Sequence, residues 1–143
     1  MYRKGRHIAV GEEKMVAMTL TKEMIEEGAS LVGKLDESGV PPEAAFWFYF
    51  PDVQQWKLVL AEIKLGERGP RQFYKRIQEV ISADQMNMPD LALDDITLAK
   101  PDAPIVVLLR HAIHTGPGIG GIRFTNNVIN GTVIDDAYIY RLT

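Results

Sequence analysis

Ala44-Ala45-Phe46-Trp47-Phe48-Tyr49-Phe50 is an unbroken run of apolar and aromatic side chains, with Pro41-Pro42 shortly before it and Pro51-Asp52 directly after it. The run is too short for a helix, and its residue types suit a pleated surface, so it predicts a strand. Successive strand residues point to opposite faces. Phe46, Phe48 and Phe50 therefore share one side, and Trp47 and Tyr49 share the other. A strand that is apolar on both faces has to be covered on both. Trp56–Leu65 repeats the pattern, with Trp56, Leu58 and Leu60 opposing Val59, Ala61 and Ile63. A loop near Pro51–Gln55 joins the two into an antiparallel hairpin.

Upstream, Thr21 is placed to cap a helix, and Leu20 to staple onto Ile25. Ile25, Ala29, Val32 and Leu35 follow at helical spacing. Glu23, Glu26 and Glu27 occupy the first two turns, where the helix dipole favours negative charge. Gly39 and Pro41-Pro42 stop this helix. Downstream, Pro70 fits the first position of a second helix whose inner face is Phe73, Ile77, Val80 and Ile81. Leu93–Leu98 reads as a short strand. Asp102 reads as the cap of a third helix over Ala103–His114, which Gly116 and Pro117 end. Ile122–Asn130 and Thr132–Leu142 form a second strand pair around Asn130-Gly131, the favoured two-residue hairpin turn. The predicted order is α-β-β-α-β-α-β-β. It is an α+β fold of about five mainly antiparallel strands, two hairpins plus one short strand, packed with three helices.

The chain has 143 residues, of which 46% are hydrophobic and 24% charged, the mixture of a folded protein of one domain. Residues 1–14 lack a periodic pattern and read as a flexible N-terminal arm carrying Arg3, Lys4, Arg6 and His7, with 15–143 as a single domain. Cysteine is absent, which excludes disulfide scaffolds, thiolate metal sites and cysteine catalysis. The net charge of -3 argues against a general nucleic-acid binder. The densest apolar stretches, Ala44–Phe50 and Ile105–Leu109, fall far short of the ~20 residues of a membrane-spanning helix. Glu12, Glu13 and Lys14 stand where the apolar part of an export signal would continue. The expected compartment is the cytoplasm, most simply a bacterial one.

Pro51-Asp52, followed after nine residues by Glu62-Ile63-Lys64, resembles the motif of the PD-(D/E)xK nuclease family. The surrounding order of helix, two strands and helix loosely suits that family, over about the middle third of the chain. The resemblance implies that Asp52 and Glu62 hold a divalent metal and that Lys64 orients or activates the attacking water. The hairpin reading separates these groups. Asp52 falls in the turn, and Glu62 lies ~20 Å along the strand from Trp56 at ~3.3 Å per residue. Carboxylates sharing an ion must converge on it with bonds of about 2 Å. The expected separation of the two carboxylates is well over ~8 Å.

His111 and His114 form an H-x-x-H pair near the end of the third helix, on one helical face, and are the candidate metal ligands. Arg110, His111 and His114 equally suit the negative end of the helix dipole. Gly116-Pro117-Gly118-Ile119-Gly120-Gly121 has the composition of a phosphate loop but runs from a helix into a strand, the reverse of the order such a loop needs. There is no G-x-S-x-G elbow, and Ser30, Ser38 and Ser82 lie on or just past helices. Residues 53–76 carry a local charge of +4 and residues 77–143 one of -4. Arg68, Arg71 and Lys75 are the candidate anion-binding groups in the basic part.

These readings favour a non-catalytic interaction or accessory module over an enzyme, with no cofactor. The alternative is a metal-dependent hydrolase, through Asp52, Glu62 and Lys64 or through His111 and His114. The expected partner is a second copy of the chain, with another protein as a further possibility. Trp47, Tyr49, Tyr138 and Tyr140 are the expected contact residues, with Phe46, Phe48 and Phe50 packed beneath helices. The competing arrangement has the three helices covering both faces of the sheet within one chain.

Overall fold

A computed structural model of the chain describes residues 19–61 and 69–143. β1 (Ala44–Phe50) and β2 (Gln55–Ala61) pair antiparallel, from Ala44 opposite Ala61 to Phe50 opposite Gln55. On its other side β1 pairs antiparallel with β5 (Thr132–Leu142). β5 in turn pairs antiparallel with β4 (Ile122–Ile129). A short β3 (Ile96–Ala99) lies parallel to β2. The sheet order is β3-β2-β1-β5-β4, so the aromatic strand that predicts the fold is its central strand. The expected order of elements holds throughout.

Among the described residues, three helices cover the sheet. α1 (Lys22–Glu37) starts at Thr21, whose hydroxyl accepts the Met24 N–H at 3.1 Å, and gives way to Gly39 in the left-handed region at φ 78. α2 (Gly69–Ala83) and α3 (Pro104–Ala112) follow. Leu31, Val32 and Leu35 of α1 and Phe73, Ile77 and Ile81 of α2 bury Trp47, Tyr49, Trp56, Leu58, Leu60 and Tyr140. On the opposite face Val106 and Leu109 of α3 bury Phe46, Phe48, Val59, Ala61, Ala137 and Ile139. The alternation of Ala44–Phe50 is thus satisfied on both sides within one chain, each face burying apolar area at roughly 25 cal/mol per Å². α1 comes closest to the sheet at Gly28, where a Cβ would run into the Tyr140 hydroxyl and Trp47 Nε1.

The structure corrects three local expectations. Leu93–Asp95 is a 3-10 turn rather than the start of a strand, because Asp95 folds back to accept the Ala92 N–H at 3.0 Å. The third helix is capped at Ala103, not Asp102, and Pro104 takes its first turn. The residue before a proline avoids helical angles, and this fixes the boundary there. The same helix ends at Ala112: Ile113 is extended at φ -136 and ψ 127 and buries its side chain with the α3 face. Thr115 then joins the end of β5, donating its N–H to the Leu142 carbonyl at 2.9 Å.

Candidate functional site

The residues singled out in the sequence do not converge. Asp52 is exposed in the turn after β1, at the opposite end of the hairpin from Ala61. Glu62, Lys64 and Arg68 lie outside the described residues, as does the arm 1–14. His111 is in the last turn of α3 and His114 is beyond its end, both exposed, so the expected shared helical face does not form. Among the described residues no three His, Asp or Glu side chains are grouped to hold a metal ion. Arg71 and Lys75 are exposed on α2, one turn apart. No helix among the described residues is long and apolar enough to cross a membrane.

The expected contact surface is also rearranged. Trp47 and Tyr140 are each 1% exposed and Tyr49 is 7% exposed, all three in the core beneath α1 and α2. Their polar atoms are used internally. Trp47 Nε1 donates to the Tyr140 hydroxyl at 3.0 Å, and that hydroxyl donates to the Ile25 carbonyl of α1. Burial pushes the Tyr140 phenol well above its ordinary range. Tyr138 is half-buried, with its ring 5.4 Å from that of Tyr140 and packed edge to face. The face that needed a cover is therefore filled by the chain's own helices, and three of the four aromatic candidates are core residues.

Two further buried charges hold the frame. Arg141 is 3% exposed, and it grips Asp36 through two hydrogen bonds of 3.0 and 2.6 Å while also donating to the Pro42 carbonyl at 2.9 Å. These two residues line a hollow of about 220 Å³ with Pro41, Pro42, Glu43 and Pro117, in which the guanidinium is already engaged. Glu27 is buried on α1, where its Oε1 accepts the N–H groups of Asp90 and Leu91 at 3.0 and 2.7 Å. Desolvation raises its pKa, against the lowering effect of those two hydrogen bonds. Neither group was marked by the sequence. Glu27 reads as one of three acidic residues near a helix start, and Arg141 as one cation in an alternating strand.

Among the described residues, the sheet edges carry further exposed groups. β3 is four residues long, and its Leu98 N–H is taken by the Tyr74 hydroxyl of α2 at 2.9 Å. β4 is eight residues long and only Ile129 in it is buried. Arg123 of β4 is held by Asp136 of β5 through two hydrogen bonds of 2.6 Å each, and Asp136 also accepts from the Thr125 hydroxyl at 3.2 Å. The hydrogen bonds to Asp136 raise the pKa of Arg123 further. The Arg123 guanidinium carbon sits 5.8 Å from the centre of the Trp56 ring, within cation–π range.

Midway along β4, Asn126 adopts a left-handed conformation at φ 49. The hairpin changes face there. Phe124 and Ala137 pack toward α3, and so do Ile129 and Ile134, although the two members within each strand stand an odd number of positions apart and a regular strand would send them to opposite faces. Val128 and Val133, a directly opposed pair beyond the switch, are left 64% and 62% exposed. Period-two reading of Ile122–Asn130 cannot anticipate this, because one left-handed residue inverts every assignment after it. Comparison with protein-family models, curated proteins and solved structures finds no match to the chain.

Proposed function

We propose that the chain is a small cytoplasmic interaction module without a catalytic centre of its own, and that it works by self-association. The observation that carries this reading is the gathering of exposed large apolar side chains along one stretch of chain. Val128 and Val133 face each other near the far end of β4 and form one exposed apolar pair, on the side of the hairpin away from Ile129 and Ile134; Ile119 is exposed before the strand, and Ile122 is exposed on the opposite side at its start. Apolar groups concentrated at the open side of a sheet mark a contact surface more often than an idle one. A twofold dimer is the commonest way for a single patch to bury itself. Such a role requires no cofactor. Light scattering on the full chain over a range of micromolar concentrations tests it. A species of twice 16.0 kDa is expected. A clean 16.0 kDa species throughout would overturn the reading.

A further inference from the structure

We propose that β4 itself is the contact, pairing antiparallel with β4 of a second copy across a twofold axis, so that two five-stranded sheets become one of ten strands. This rests on the self-association reading above and adds which atoms make the contact.

An edge strand carries outward N–H and C=O groups that another strand can satisfy, and proteins usually block such edges by shortness, by Lys or Pro, or by a covering element. The two edges of this sheet are treated differently. β3 is short and has an amide bonded to Tyr74. β4 is twice as long, contains neither Lys nor Pro, and is exposed along nearly its whole length. Among the described residues one edge is closed and one open, so strand addition ends at two copies instead of growing into a fibre.

The open edge also has identifiable donors. Asn130 and Gly131 both have positive φ, 48 and 82, as a two-residue hairpin turn requires. Such a turn makes Ile129 and Thr132 the hydrogen-bonded closing pair. Hydrogen-bonded and non-hydrogen-bonded pairs alternate along an antiparallel ladder, so Val128 directs its N–H and C=O away from β5.

Charge favours a second copy over a charged extended chain. The one formal charge in β4 is Arg123, which Asp136 already neutralises, so two β4 strands meet without unpaired like charges and a charged peptide gains no ion pair there. Asn126 is the fifth of the eight residues of β4, and its kink is held by the Asn127 amide donating to the Thr125 carbonyl at 2.9 Å. β5 pairs with β4 in one register on both sides of this kink and has no left-handed residue of its own, so the kink does not bar a strand from following it. A twofold axis at Asn126 sets the two kinks at the same height.

Val128→Pro removes one outward donor at a position where an edge strand tolerates proline, and Val128→Lys installs the charge that natural edges use. Circular dichroism first confirms that each variant is folded. In sedimentation equilibrium both should fall from twice 16.0 kDa to 16.0 kDa, while Met86→Lys, on the exposed connection after α2, stays dimeric. The chain has no cysteine, so a single introduced one reports the axis. Opposed residues in paired strands have Cα atoms within disulfide range. Asn126→Cys should therefore oxidise to a covalent dimer, and Met86→Cys should not. A wild-type dimer that survives both Val128 variants, or that cross-links equally at Met86, overturns the β4 contact and leaves self-association standing. A monomeric wild type overturns both, and a ladder of higher masses overturns closure at two copies.

Discussion

Tyr140→Phe removes one oxygen from the core, and the structure sets what that costs. The hydroxyl accepts from Trp47 Nε1 at 3.0 Å and donates to the Ile25 carbonyl, with both aromatic residues 1% exposed. Without it the indole N–H is buried with no acceptor, a penalty of about 1–3 kcal/mol. The Ile25 carbonyl keeps its place in the hydrogen-bond ladder of α1, so its share is small. The net expectation is a loss of about 2 kcal/mol. The same hydroxyl is what a Cβ at residue 28 would strike, together with Trp47 Nε1 at 2.7 Å. Gly28→Ala alone should therefore cost about 1–3 kcal/mol by overpacking. In the Tyr140→Phe background the new methyl enters the space the hydroxyl leaves, and the pair should cost less than the sum by about 1 kcal/mol or more. Urea unfolding of the four proteins, followed by the fluorescence of Trp47 and Trp56, closes the cycle. Additivity within about 0.5 kcal/mol would refute the argument that one oxygen both satisfies the indole and sets the approach of α1 to the sheet.

Asp36→Ala should destabilise the chain by about 3 kcal/mol, the lower end for breaking a buried pair, because Asp36 is partly exposed and the Pro42 carbonyl stays on Arg141. A shift in urea midpoint equivalent to less than ~1 kcal/mol would contradict this, set against that range for a broken buried pair. Burial holds Glu27 above the ordinary carboxylate value, so its contribution to stability is complete below the unfolded pKa and is lost as pH rises through the folded one. Glu27→Gln should accordingly improve relative to wild type as pH rises through that window. A difference that stays flat or falls in urea titrations would be inconsistent with burial as the dominant cause.

The central hairpin was legible because its signal is local and redundant: alternating aromatic residues, a proline on each side and a two-stranded repeat of the pattern. The requirement that both faces be covered was equally legible from Ala44–Phe50. Which element meets which face was not, since alternation fixes parity and not direction. α1 and α2 take the Trp47 side, and the nine-residue α3 takes the Phe46 side. α3 ends before His114, short of what the sequence predicts, because Ile113 continues a helical apolar pattern while the Thr115 N–H is drawn to the Leu142 carbonyl. That pull comes from residues far along the chain, which no local window contains. The same holds for the site. Val128 and Val133 look like ordinary strand residues until Asn126 turns the hairpin over. Tyr140 looks like a surface aromatic until Gly28 brings α1 onto it.

Hydrogen exchange tests the central claim most directly, because it reads the edge amides themselves. In a free edge strand, outward N–H groups meet water and exchange fast, and a strand pairing across a twofold axis protects them. The outward amides of β4, and that of Val128 above all, should gain protection as protein concentration rises through the dimerisation range, while amides of central β1 stay protected at every concentration. Exchange in β4 that is fast and independent of concentration would contradict the account.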